Sequence, residues 1–265
     1  GAPTLAAIAR RHAIPVRRVS RLSQIPDLER EIELTGADTL LTVMTYVLVP
    51  AEVLDIFGRR AVNVHPSLLP KYGGSRPRHT MLLDGEADDC GGVTFHQLSP
   101  GIDEGPIVAQ RALPFSATPH FAAWDFACAR AAADIARTEL PAYLDGEREA
   151  IPQDPSQRHY RKVLPDEFTI STETTLAEVR HLFACAPGVS PRWLQEGQNK
   201  KDRAVSSLVK VLGPPTGRPS IPGLWTVEAD IADARVRMSR GRLSRATYGM
   251  PFLQILAYRL MGPRR

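Results

Sequence analysis

Two short strand-like runs with a helix between them set the frame for this chain. Thr39-Leu40-Leu41-Thr42-Val43-Met44 is nearly continuous apolar sequence, as a parallel strand covered on both faces requires. Residues 50–57 read as a short helix, and Ala61-Val62-Asn63-Val64-His65 as a second strand. Strand, helix, strand at this cadence is the signature of an α/β sheet. Pro66 cannot donate to a sheet ladder, so it ends the second strand. Asn63 and His65, at i and i+2, share one face of that strand. They sit at its carboxyl end, where open α/β sheets bind ligands.

The rest of the chain continues the pattern. Leu5, Ile8 and Ala9 have helical spacing after Pro3 and Thr4, and Ile14-Pro15-Val16 starts a short strand. Residues 25–34 form an amphipathic helix closed by Gly36. A helix is predicted over 77–83 with Gly85 after it, then β runs over 93–98 and 107–115. Residues 121–144 make a long alanine-rich helix whose stripe of Phe121, Trp124, Ala127, Cys128 and Ala131 packs into a core. The proline- and polar-rich stretch at 151–157 reads as a linker or surface crossover. A helix over 176–186, a proline-rich loop over 213–223 and short β pieces at 225–227 and 236–238 follow.

Composition narrows the class. A chain of 265 residues, 43% hydrophobic, holds one large or two modest domains. Its apolar stretches are short and interrupted, so no membrane span is expected. No basic segment leading into an apolar one opens the chain, and no signal peptide is visible. Cys90, Cys128 and Cys185 have no paired or metal-like spacing, which predicts a reduced, cytoplasmic protein. No His/Cys/Asp/Glu cluster has zinc spacing, so no metal is implied. The net charge of +4 suits many enzymes as well as a nucleic-acid partner.

Asn63-Val64-His65-Pro66-Ser67-Leu68-Leu69-Pro70 is followed by Gly92-Val93-Thr94-Phe95-His96 and then by Gly101-Ile102-Asp103-Glu104-Gly105-Pro106. In order and approximate spacing these segments resemble the formyltransferases that use 10-formyltetrahydrofolate, over about residues 1–160. The resemblance implies a doubly wound, mostly parallel, Rossmann-like α/β domain over 1–150, a linker over 151–163, and a smaller, mainly β module over 164–265. It also implies roughly 55 residues before residue 1, at about one βαβ unit plus a strand, so the domain reads as truncated at its start.

By the same resemblance Asn63, His65 and Asp103 are catalytic. The Asn63 amide would donate to the oxyanion of a tetrahedral intermediate; otherwise it caps a turn. His65 would share that task or move protons; otherwise it is a hydrogen-bonded core histidine. Asp103 would hold His65 charged and relay the amine's proton through water; otherwise it makes an Asx-turn. His96 reads as a satisfied structural histidine and Glu104 as solvated, while Gly73-Gly74 is a weak phosphate signal. The folate pterin is expected beside Met44, Tyr46, Val47 and Leu48, with Ser67, Leu68, Leu69, Gln97, Gly101 and Ile102 also at the site.

By the same resemblance the cosubstrate would leave as tetrahydrofolate. The acceptor amine is first read as initiator methionyl-tRNA, held by Lys200, Lys201, Arg203, Lys210, Arg218, Arg235, Arg237, Arg240, Arg242 and Arg245. A nucleotide-linked amino sugar, hydroxyornithine, hydrolysis by water and an inactive folate-binding remnant stay open.

Overall fold

The structure, a computed structural model, describes residues 5–16, 22, 25, 27–43, 48–117, 120–162, 164–185, 191–193, 203–222 and 226–240. The chain divides into two compact units, residues 1–119 with 123–162, and residues 120–122 with 163–265.

The first unit opens with helices α1 (Leu5–Arg11) and α2 (Leu28–Thr35), strand β1 (Leu40–Val43), helix α3 (Ala51–Phe57) and strand β2 (Ala61–His65). Then come β3 (Lys71–Gly73), α4 (Pro77–Asp84), α5 (Ala87–Cys90), β4 (Gly92–Gln97), β5 (Ile107–Ala112), the long α6 (Phe121–Leu144) and β6 (His159–Tyr160). The main sheet has the order β1-β2-β4-β5. The α/β class holds, and the described sheet is mixed: β1 and β2 are parallel, while β2–β4 and β4–β5 are antiparallel. β4 returns beside β2 by way of two short helices, so its direction reverses. Residues 14–16, expected to open a strand, are in none; Pro15 has no N–H for a ladder.

α6 supplies one half of the core. Ala131, Ile135, Leu140 and Tyr143 pack on Val62, Val64, Val93, Phe95 and Val108 from three strands. Each fully buried aliphatic side chain here contributes about 1.5–3 kcal/mol. A second cluster on the α3 side holds Val53, Leu54, Phe57 and Ala61, with Leu28 and Ile32 of α2 against it. β1 departs from the expectation of a strand covered on both faces. Leu41 and Val43 are 42% and 58% exposed, because the α6 core reaches β2 and not β1.

The stretch expected as a linker is fastened to the first unit over 151–162. Ile151 pairs with Ile107, β6 pairs with β3, and Arg161 binds the Asp84 carboxylate at 2.9 Å. Gly74 lies under this stretch at φ +94, and an added Cβ would come within 2.3 Å of the Tyr160 ring. Gly74→Ala is therefore expected to destabilise the protein by more than about 1 kcal/mol, read as a lower Tm. An unchanged Tm would mean that the ring swings aside and the backbone relaxes freely.

The second unit contains β7 (Thr169–Ile170), α7 (Leu176–Cys185), β8 (Arg192–Trp193), β9 (Arg203–Gly213), β10 (Ile221–Pro222), β11 (Thr226–Asp230) and β12 (Arg235–Arg240). They give a six-stranded sheet ordered β10-β11-β12-β9-β8-β7, with Val227, Ala229, Val236 and Met238 buried. The mainly β character expected of this module is present. Trp225, expected in a strand, and Ala186, expected to end α7, lie outside the described residues.

Candidate active site

β2 is buried along its whole length because it lies between β1 and β4. Val62 and Val64 point into the α6 core, so the strand period turns Ala61, Asn63 and His65 to the opposite face. Asn63 and His65 are 8% and 4% exposed. Asn63 Oδ1 accepts from the Thr42 hydroxyl at 2.7 Å, across the parallel pairing of β1 and β2. Its Nδ2 lies 3.0 Å from His96 Nε2 and 3.4 Å from Asp103 Oδ1. The reversed amide would turn an oxygen toward the Asp103 carboxylate, which decides the orientation.

His96 stands opposite Asn63 on β4. Its Nδ1 is 2.7 Å from the Gln97 carbonyl, which can only accept. Nδ1 therefore carries the proton, and Nε2 accepts from Asn63. The structural role expected for His96 is present in these two bonds. The residue it orients, however, is the candidate oxyanion donor.

His65 is fixed in the same way. Its Nε2 donates to the Tyr72 carbonyl at 2.9 Å, leaving Nδ1 to face Asp103 Oδ2 at 3.3 Å. Burial pulls the His65 pKa below its usual value, against the opposing pull of Asp103 and the Tyr72 carbonyl. Nδ1 faces the Asp103 carboxylate at a distance where a proton taken up there is shared between the two.

Asp103 reaches this point from the loop between β4 and β5, at φ +54. Oδ2 accepts the Gly74 N–H at 2.7 Å. Burial works to raise its pKa, and the hydrogen bonds and charges around it, the Gly74 N–H among them, outweigh it, so the carboxyl ionises below its usual range. One carboxylate, one imidazole nitrogen and one amide donor thus converge. That set can take up a proton and stabilise a developing oxyanion in the same place.

The comparisons with known proteins bear on this geometry. Residues 4–122 match the sequence model described as Formyl transferase. Over those residues the sequence is similar to formyl transferases. The matched segment includes Asn63, His65, His96 and Asp103. A methionyl-tRNA formyltransferase of Staphylococcus aureus (strain Newman) is 30% identical over 155 residues, 58% of this chain and 49% of the relative. The chain thus spans about half the length of that curated relative. Among solved structures, HypX from Aquifex aeolicus in complex with tetrahydrofolic acid superposes with TM-score 0.59 at 17% identity, over 88% of this chain and 41% of that one. An N-formyltransferase from Helicobacter canadensis, in complex with folinic acid and dTDP-3-aminofucose, gives 0.51 at 17%, over 89% and 82%. These likenesses are in fold.

The residues expected at the pterin are scattered in their roles. Met44, Tyr46 and Val47 lie outside the described residues, and Leu48 and Ile102 are 70% and 45% exposed. Ser67 and Leu69 are buried in the turn after β2, where the Ser67 hydroxyl donates to the Lys71 carbonyl at 2.8 Å. Leu68 N–H donates to the Cys90 carbonyl, and its side chain covers Gly92. Gln97 donates its amide to Tyr143 Oη. Gly101 sits under the Glu104 carboxylate, so Glu104 is not simply solvated: it pairs with Arg158 at 2.9 Å. Gly74, read as a weak phosphate signal, donates to Asp103 instead. Among the described residues, no group of three or more His, Cys, Asp or Glu is placed to hold a metal, and no helix is long and apolar enough to cross a membrane.

Proposed function

We propose that this chain transfers a formyl group from 10-formyltetrahydrofolate to an acceptor amine, releasing tetrahydrofolate. The convergence of Asn63, His65 and Asp103 within 3.4 Å, inside the segment matched to the formyl transferase family, carries this reading. The amine attacks the formyl carbon and a tetrahedral intermediate forms. The Asn63 N–H directed at Asp103 turns to the oxyanion. The proton lost by the amine passes, directly or through water, to the Asp103–His65 pair. Once protonated at Nδ1, His65 becomes a second donor to the oxyanion and then returns the proton to the leaving nitrogen. The folate is a cosubstrate, and the chemistry calls for no metal.

Initiator methionyl-tRNA is the acceptor favoured by the sequence relatives. The basic set offered for tRNA is smaller than its sequence suggests. Arg235 is 6% exposed and bound to Asp230 at 2.9 Å, and Arg237 Nε donates to Glu228 at 2.8 Å. Lys210 and Arg218 are exposed. The side chains of Arg203 and Arg240, and Lys200, Lys201, Arg242 and Arg245 altogether, lie outside what is described. This pairing of Arg235 and Arg237 favours, as a second reading, a small amine such as a nucleotide-linked amino sugar.

Titration with methionylated initiator tRNA across a salt series separates the two. Under the tRNA reading, log affinity falls linearly with log salt, by about 0.9 per phosphate contact. Changing Lys210 and Arg218 to Ala weakens binding and flattens the slope, while folate binding is kept. Undetectable or salt-independent binding by folate-competent protein would exclude tRNA in favour of the small amine.

A further inference from the structure

Two side chains outside the matched family segment hold the loop carrying Asp103: Arg158 pairs with the Glu104 carboxylate, and Gln153 takes the loop backbone. Gln153 Nε2 donates to the Asp103 carbonyl at 2.8 Å and to the Gly105 carbonyl at 2.7 Å. One amide thus uses both its hydrogens on the two carbonyls flanking Glu104. The reversed amide would set its oxygen against both, so the orientation is fixed. Gln153 Oε1 is meanwhile buried with no hydrogen-bond partner. A glutamine kept for solubility would turn that oxygen to water; here it is given up so that both N–H groups meet the loop.

The other side of the loop is equally closed. Gly105 has no room for a Cβ, which would meet the Gln97 carbonyl at 2.0 Å, and Gln97 N–H donates to the Pro106 carbonyl at 2.9 Å. Between these supports Asp103 holds φ +54, a conformation that a non-glycine residue keeps only when its surroundings enforce it. Its carboxylate then meets Gly74 N–H and His65 Nδ1 together.

We propose that Gln153 is a positioning residue for the Asp103 carboxylate, making the 151–162 segment part of the active site. The kinetic side of this proposal rests on the formyl-transfer reading; the structural side does not. The charged and titratable groups acting on His65 are Asp103, His96 from β4 and Arg78 from α4. Of these only Asp103 rides on the loop that Gln153 holds. Asp103 is also the one that raises the His65 pKa, so a loosened loop must lower it.

The test uses the full chain with Gln153→Ala and Gln153→Glu, followed by NMR titration of the histidine rings and by steady-state kinetics. The glutamate keeps the volume and, once ionised, opposes both carbonyls, so it serves if the alanine variant does not fold. In folded variants His65 should titrate at lower pH than in the wild type. kcat should fall by about 10–10²-fold, as for a catalytic group displaced by an ångström, with KM for the folate little changed. An unshifted His65 titration in folded variants would overturn the proposal, as would a changed folate KM with kcat intact. A wild-type chain without formyl transfer, in which the His65 shift still separates wild type from variant, would refute the activity and leave the positioning role standing.

Discussion

Asn63→Ala is expected to slow the chemical step by about 10²–10³-fold, the usual effect of losing one oxyanion donor, while folate still binds. The expectation comes from the orientation of the amide. Thr42 holds its oxygen, His96 takes one N–H, and the other leans toward Asp103 at 3.4 Å, longer than a good hydrogen bond and so free to turn to a stronger acceptor. Single-turnover kinetics with saturating folate and acceptor measures this step directly. A variant that binds folate and reacts at the wild-type rate would remove Asn63 from the mechanism.

Asp103→Asn should be at least as damaging, with a loss of about 10²–10⁴-fold, because an amide cannot share the proton that reaches His65. The pH profile adds a signed test. Activity requires His65 free to accept a proton and Asp103 ionised, so proton uptake at His65 sets an acid limb. Its pKa is already below the usual histidine value through burial, and Asp103 is what holds it up. Without that carboxylate the acid limb should move to still lower pH while the plateau drops. The same change at Glu104, whose carboxylate pairs with Arg158, should leave the limb in place. Equal effects at the two positions, or an acid limb moving to higher pH, would contradict the assignment of Asp103.

Local pattern carried much of this fold. The proline after β2, the alanine-rich run of α6 and the glycine after α4 set the limits of their elements, because each acts through backbone geometry within a few residues. At Gly85, φ +76 with the N–H turned back to Met81 and Leu82 closes α4. Asn63 and His65 were legible for the same reason, since period 2 places them on one face. What sequence could not show were partners far apart in the chain. The Gly74 N–H and Asp103 are 29 residues apart, and Gln153 and Asp103 are 50 apart. No periodicity links them, so a glycine pair read as a weak phosphate signal and a support read as a linker. Charge was misleading in the same way. Arg235 and Arg237 look like a basic surface until the antiparallel pairing of β11 with β12 brings Asp230 opposite Arg235 and Glu228 opposite Arg237. β1 shows the reverse case, an apolar run whose Leu41 and Val43 are not covered by the α6 core.

Under this proposal Asn63, His65 and Asp103 together move a formyl group from folate to an amine. It is tested most directly with 10-formyltetrahydrofolate labelled with ¹³C in the formyl group, followed by NMR in the presence and absence of methionylated initiator tRNA or a nucleotide-linked amino sugar. A labelled formamide and an equal amount of tetrahydrofolate are expected with one of these amines, and no labelled formate without an amine. Bound folate whose label stays in place with every amine, or label released as formate in its absence, would contradict it.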